Sequence, residues 1–394
     1  MKSLTGIRVL DLSRVLAGPY CTMMLADHGA EIIKVELPGT GDDSRAFTPM
    51  IEGESVYFAN INRGKKSITL NLKSPDAKEV IKKLVAKSDV VVENFRPGTM
   101  EKLKLGYDVL KGINPKIIYA CGSGYGHSGP WTSKPAYDLV IQALSGFMSI
   151  TGQENSIPTK AGPSIMDILT GIFLYAGITT ALYAREKTGL GQKVDVAMLD
   201  CGVAVLENAL MRYTTTGEVP LRIGNRHSSI TPFESFKAKD DYFVIACGND
   251  NLFFKMCEVL EREDIKNDRR FATNELRTRN QKVLFILLRK IFEEKTVNEW
   301  VSILDAAGIP VAPIITVDKL LDNPQLKARN MLLDMNHPVI GKMKITGTPI
   351  KLEKTPGDIS SPAPSLGQHT EEVLKNILNI DDSMISYWKK NGVL

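Results

Sequence analysis

Five short apolar runs within the first 124 residues limit what this chain can become. They are IRVLDL (7–12), EIIKVE (31–36), SITLNL (67–72), DVVVENF (89–95) and KIIYACGSG (116–124). Runs of this length, rich in Val and Ile and bounded by turn residues, predict buried strands. Between them lie helix-like segments such as YCTMMLADHG. Another helix opens at Ser74-Pro75, with serine as N-cap and proline in the first turn, where its missing N–H costs nothing. Strands alternating with helices at this spacing predict an α/β fold, with a mostly parallel Rossmann-like sheet covered on both faces.

The pattern then changes twice. From 167 to 214 it is helical and largely apolar, broken by the turn TGLGQK (188–193). Beyond the polar stretch TTTGEVPLRIGNRHSS, the segment SFKAKDDYFVIACGNDNLF predicts a hairpin through Asp240-Asp241, followed by a helix. RNQKVLFILLRKIFEEK and TVNEWVSILDAAG predict two amphipathic helices, the second stopped by Gly308 and Pro310. HPVIGKMKITGTPIKL predicts a strand pair, and TEEVLKNIL a short helix. The expected division is a large domain over 1–214, a smaller α+β domain over 225–320, and a return segment, 321–394, completing the first.

Composition removes several functions. With 43% hydrophobic and 24% charged residues the chain is ordinary globular protein. Its net charge is only +4 and its 49 basic residues are dispersed, so no nucleic acid partner is expected. Cys21, Cys121, Cys201, Cys247 and Cys257 form no CxxC pair, and the N-terminus runs into a strand without a signal pattern. Both predict a cytoplasmic protein with reduced core thiols. After Asp167 no charge appears until Arg185. That stretch falls short of the ~20 apolar residues of a comfortable membrane span. It also contains Gly171, Gly177 and three threonines, so a core helix is expected and no membrane. The histidines are isolated in sequence, and no metal-ligand spacing appears.

The candidate chemistry lies in loops after strands. SRVLAGPY (13–20) ends at a helix start, where free N–H groups suit a phosphate. The glycine-rich loops PGTGDDSR and CGSGYGHSG could let backbone approach a bulky ligand. Arg14, Lys34, Lys73, Arg96, Lys102 and Lys134 recur near strand ends, where a phosphorylated ligand needs countercharge. There is no GxGxxG for a nicotinamide cofactor, no Walker A sequence and no GxSxG elbow. His127 is open between an acid–base role and a plain loop residue. Asp167, in AGPSIMDILTG, is open between helix N-cap and nucleophile: local chemistry permits both.

Taken together, longer segments resemble the class III (CaiB/BaiF-like) CoA-transferases. They are VLDLSRVLAGPYCTMMLADHGAEIIKVE, NRGKKSITLNLK, VVENFRPGTMEKLKLGYD, GSGYGHSGPWTSKPAYDLVIQALSGFMSITG, AGPSIMDILTG and TGLGQKVDVAMLD, in order along the chain. The later GNRHSSITPFESF, ACGNDNLF and LGQHT resemble the branch that moves CoA between succinate and glutarate. The resemblance implies an interlocked homodimer without a permanent cofactor, taking acyl-CoA and a small carboxylate as substrates. It places Asp167 on the family's covalent nucleophile. It implies CoA contacts at Leu16 and Ala17 by the adenine, and at Leu72 and Lys73 beside the nucleotide. Asn94, Phe95 and Arg96 match a binding turn, Lys102 stands where arginine is frequent, and Ala136, Tyr137 and Asp138 match the pantetheine path. Arg45 and the Arg226-His227 pair are candidates for a distal carboxylate. The glycine-rich flap of formyl-CoA:oxalate transferases is not found around 220–260, which disfavours oxalate. Tyr137 stands where the related α-methylacyl-CoA racemases carry a histidine, which favours transferase over racemase; a non-catalytic acyl-CoA-binding protein is the other alternative.

Overall fold

The computed structural model describes residues 1–394. All five apolar runs are strands, and the first part of the chain is β1 (Arg8–Asp11), α1 (Ala17–Asp27), β2 (Glu31–Glu36), β3 (Lys65–Thr69), α2 (Pro75–Val85), β4 (Val90–Glu93) and β5 (Ile118–Ser123). It continues with α3 (Asp138–Leu144), α4 (Ile165–Thr188), β6 (Lys193–Ala197) and α5 (Met198–Ala204). The six strands pair in parallel in the order β3-β2-β1-β4-β5-β6. β6 corrects the sequence reading, which ran KVDVA into a helical stretch. This edge strand is half exposed and alternates Val with Lys193 and Asp195, so it lacks the continuous apolar run that marked the inner strands.

Alternate residues of each strand feed opposite cores. Leu10, Ile33, Ile68 and Val91 pack against Val80, Ile81 and Leu84 of α2. Val9, Ile32, Val90 and Ile118 face the other way, onto Cys21 and Leu25 of α1 and Leu174 and Ile178 of α4. This period-two division is what a parallel sheet covered on both sides requires. Strand order reverses between β1 and β4, so the loops leaving their carboxyl ends part there and open a crevice.

The chain forms two compact units. The first comprises 1–147, 161–208 and 324–394; the second comprises 148–160 and 209–323. Residues 148–160 and 209–214 thus go with the second unit, within which Arg226 pairs with Glu154 at 2.9 Å. In that unit β7 (Phe233–Lys237) and β8 (Tyr242–Ala246) form the hairpin around Asp240-Asp241, and α6 (Gln281–Phe292), α7 (Val297–Ala306) and β9 (Val311–Pro313) follow. Phe236, Phe243, Phe292 and Trp300 fill its core. In the return segment the strand pair is β10 (Leu332–His337) with β11 (Gly341–Thr346), so His337 ends the first strand instead of beginning it. Helices α8 (Thr370–Leu378) and α9 (Asp382–Lys390) close the first unit, placing Val373, Leu374, Ile385 and Trp388 in the α2-side core.

Helix α4 is long and apolar enough to cross a membrane, but Leu174, Ile178 and Ala181 pack into the core with α1. Gly171 permits the close crossing. A Cβ there would lie 2.8 Å from the Ala17 carbonyl oxygen and 3.1 Å from Tyr20. In Gly171→Ala the better helix propensity gains about 1 kcal/mol. Overpacking against a backbone oxygen that cannot rotate away costs about 1–3 kcal/mol, so the crossing dominates. We expect a net loss of up to about 2 kcal/mol, read as a lower urea midpoint at unchanged slope. An equal or higher midpoint would show that the two helices can part freely.

Candidate active site

The crevice is built from loops that hold one another. Asp11, last in β1 and fully buried, accepts the Ser13 N–H at 2.9 Å, the Ser13 hydroxyl, and the Thr22 hydroxyl at 2.6 Å. Three residues on, Asn94 from the β4 loop clamps the β1 loop at Arg14. It accepts the Arg14 N–H at 2.8 Å and donates to the Arg14 carbonyl at 2.7 Å. Directly after Arg14, Val15 is forced to φ 64°, a costly conformation for a β-branched residue, and Asp42 accepts its N–H at 3.1 Å. The loops therefore meet in one fixed arrangement.

Two neighbouring cavities result, sharing Arg14, Asp43 and Phe95. The larger, about 490 Å³, has apolar walls of Leu12, Leu37, Leu70, Leu72, Phe95 and Leu103, with Arg14, Asn71 and Lys73 among its polar residues. The smaller, about 200 Å³, runs past Leu16, Ala17 and Asn94–Pro97 to Gly122–Gly124, Ala136, Tyr137 and Asp167. Gly124 has to be glycine, since a Cβ would come within 2.2 Å of the Ala136 Cβ. Leu16, Ala17, Leu72, Lys73, Asn94, Phe95, Arg96, Ala136, Tyr137 and Asp167 thus all line one cavity or the other. Lys102 lines neither and is exposed at the end of the short helix Thr99–Lys102.

Asp167 is not the N-cap. Helix α4 opens on Ser164, so Asp167 is its third residue, and its carboxylate makes no hydrogen bond or ion pair. Burial pushes its pKa up to about 7, and the nearby charge of Asp138 adds to the rise. Tyr57, from the short helix Val56–Ile61, feels the same site. Burial, then the charges of Asp167 and Asp42, push its phenol up to about 12. A carboxyl group poised near neutrality, beside a cavity and free of partners, can be an attacking base or nucleophile.

Asp138 corrects the sequence reading. It lines neither cavity; it is buried, accepts the Met166 N–H at 2.8 Å and accepts from Gln142 at 2.6 Å. Lys34 is likewise no countercharge for a ligand, because its ammonium is buried on Asp42 at 2.8 Å and donates to the Ser13 carbonyl at 2.8 Å. Arg45 grips Glu36 through two bonds, at 2.7 and 2.8 Å, and stacks over Phe58 at 3.7 Å, so its fork is spent. In the second unit Arg226 is paired with Glu154, and His227 Nδ1 accepts the Ser229 N–H at 3.1 Å. Lys73, Arg96 and Lys134 are exposed and carry no ion pair; Lys134 lies 4.0 Å over the Trp131 ring. These are the cations left to meet an anion.

One buried cluster was missed. Glu93, closing β4, accepts the Phe95 N–H at 2.8 Å and the Tyr119 hydroxyl at 3.1 Å, and burial pushes it up to about 7. His127 lies beside it, with Nε2 3.8 Å from Glu93 Oε1 and without a partner. Lys193 Nζ stands 3.1 Å from His127 Nδ1. An ammonium only donates, so Nδ1 accepts and a neutral ring carries its proton on Nε2. Cys121 brings a third donor atom near Glu93 and His127, but that ammonium bond occupies the ring face a cation-bound histidine would need protonated. The signal for Glu93 was an acid directly after the apolar VVV of DVVVENF.

Known proteins match this chain in sequence and fold. The model of CoA-transferase family III matches residues 4–370. Succinyl-CoA:glutarate CoA-transferase of Mus musculus is 39% identical over 395 residues, covering 100% of this chain and 91% of its own. Acetyl-CoA:oxalate CoA-transferase of Acetobacter aceti is 43% identical over 348 residues, 88% of each protein. The crystal structure of a CaiB/BaiF family protein from Brucella suis matches with a TM-score of 0.86 at 38% identity, covering 95% of this chain and 99% of that one. With this sheet order, this crevice and these relatives, the chain belongs to CoA-transferase family III.

Proposed function

We propose that this transferase moves CoA between small carboxylic acids, with Asp167 as covalent nucleophile. The observation that carries the reading is an unpartnered carboxyl group at the wall of the smaller cavity, its affinity for a proton raised by burial. A carboxylate of raised pKa is a better nucleophile, and burial of the site limits the water that could hydrolyse an anhydride. Asp167 attacks the thioester carbonyl of the donor; the C–S bond breaks, leaving an aspartyl–acyl anhydride and CoA thiolate. The thiolate attacks the aspartyl carbonyl, expelling the donor acid and forming an aspartyl-CoA thioester. The acceptor carboxylate then displaces the thiolate, giving a second anhydride. Return of the thiolate to the acceptor's carbonyl yields new acyl-CoA and frees Asp167.

The larger cavity suits the nucleotide end of CoA, with its apolar walls for the base and Lys73 for a phosphate; Leu16 and Ala17, expected beside the adenine, line the smaller cavity instead. Arg96 and Lys134 stand along the smaller one, toward Asp167. The mouse relative's name supports succinyl-CoA and glutarate as first substrates. The oxalate name of the Acetobacter relative returns oxalate to the acceptor panel, despite the missing flap. Asn94, whose amide is spent on Arg14, contributes by shaping the wall. A second copy of the chain is supported by apolar side chains left exposed on neighbouring segments: Leu139, Val140 and Leu144 of α3, and Ile172 and Phe173 of α4. That is the surface an interlocked homodimer would cover.

Trapping tests the covalent step. With succinyl-CoA present, hydroxylamine should leave a hydroxamate on Asp167, and Asp167→Asn should lose at least about 1,000-fold in kcat. Turnover without any adduct on Asp167 sinks the mechanism, and tight CoA binding without exchange would leave a binding protein.

The raised pKa sets two pH dependences. Only the ionised carboxylate attacks, so kcat should climb through about pH 7 and level above about pH 8. For stability the folded pKa lies above the unfolded value of about 4. Folding therefore favours the protonated acid, and that stabilisation is lost as pH rises through 7. Asp167→Asn should match the parent near pH 4 and become more stable between about pH 4 and 7. Above that the gain should be constant, on the order of 2 kcal/mol once solvent access to the cavity is discounted. A variant no more stable than the parent at pH 8 contradicts the burial account.

A further inference from the structure

The helix that carries Asp167 is held from outside itself. Ser164 sits at its N-cap, but its side chain makes no capping bond. Asp138, at the first position of α3, supplies that bond across 28 residues: Oδ1 accepts the Met166 N–H at 2.8 Å. Oδ2 accepts from Gln142 Nε2 at 2.6 Å, one turn along α3, and Gln142 Oε1 accepts the Ala161 N–H at 2.9 Å. Gln142 is fully buried and Asp138 nearly so, which leaves little room for water to compete. Two side chains thus bracket residues 161–166, the segment that delivers Asp167 to the cavity.

We propose that Asp138 is the positioning residue of the nucleophile: it caps α4 in place of Ser164, fixes the approach segment through Gln142, and keeps a negative charge beside the attacking carboxylate. The proposal rests on the reading of Asp167 as nucleophile. Asp138 has two donors and Asp167 has none, so the repulsion between them falls on Asp167, whose pKa rises from burial first and from Asp138 second. The other titratable groups facing Asp167 are Tyr57 from the helix Val56–Ile61 and, around the cavity, Arg14, Asp43, Arg96, Lys134 and Tyr137. The side-chain bonds that reach this segment from α3 are those of Asp138 and Gln142.

Three full-length variants separate the roles, with kcat, KM and the pH–rate profile of succinyl-CoA exchange as readouts. Asp138→Ala removes both cap and charge; kcat should fall by about 100-fold or more while KM for the acyl-CoA stays within about threefold. Asp138→Asn keeps an oxygen for Met166, loses the bond from Gln142 and drops the charge. It should recover part of kcat, and its acid limb should move to lower pH. Gln142→Ala leaves the cap and charge; kcat should fall by about tenfold with the limb unmoved. An Asp138→Asn profile that coincides with the parent overturns the electrostatic part. Parental kcat in Asp138→Ala overturns the positioning, and if that variant fails to fold, the Asn variant and Gln142→Ala decide. Hydroxylamine capture on parental Asp167 distinguishes the failures. An adduct with unmoved variants sinks this proposal alone, whereas no adduct sinks the nucleophile beneath it.

Discussion

Four charges buried beneath the crevice organise everything above them. Asp11 ends β1 and Lys65 begins β3, with 3.1 Å between carboxylate and ammonium; Lys34 on β2 pairs with Asp42 at 2.8 Å. Asp11, Lys65 and Lys34 are wholly buried and Asp42 nearly so, and removing one partner from such a set typically costs about 3–5 kcal/mol because it strands the others. Burial lowers the Lys65 pKa to about 8, with Asp11 holding it from falling further. Burial opposes ionisation of Asp42 as well, but Lys34 and the Ser44 and Val15 N–H groups together outweigh it and hold that carboxyl well below its usual range. The network also fixes Ser13, whose N–H goes to Asp11 and whose carbonyl accepts from Lys34. From Ser13 the β1 loop leaves toward Arg14 and Val15, so the geometry of both cavities begins at these buried pairs.

Much of this was legible in the sequence where burial on two faces writes a continuous apolar run. The four inner strands announced themselves in that way and the edge strand β3 by the alternation of SITLNL, whereas the other edge, KVDVA, did not, because Lys193 and Asp195 leave it only two valines to mark it. The site followed the same rule. Residues in loops after strands were located by position, and ten of the proposed contacts line the crevice. What sequence could not supply was the partner of each polar group. Lys34 in EIIKVE and Arg45 after GDD looked like spare cations until Asp42 and Glu36 were found against them. Asp167 looked like a cap because acid before an apolar helix usually is one. The true cap, Asp138, stands on another helix, and local spacing carries no trace of it.

The contrast among the acids explains why Asp167 alone has chemistry to spare. Asp11, Glu36, Asp42 and Asp138 each hold at least two donors, and those bonds spread the negative charge into the protein. Asp167 has burial without donors, and the neighbouring charge of Asp138 adds to its difficulty. An ionised carboxylate in that position is destabilising to the fold and reactive toward a carbonyl for the same reason, since its electron pairs are engaged by nothing else. The crevice can carry such a group because the loops around it are over-determined elsewhere: by Asn94 on Arg14, by Asp42 on Val15, by Asp138 on Met166. The instability is confined to one side chain, and a substrate carbonyl relieves it by taking up the charge.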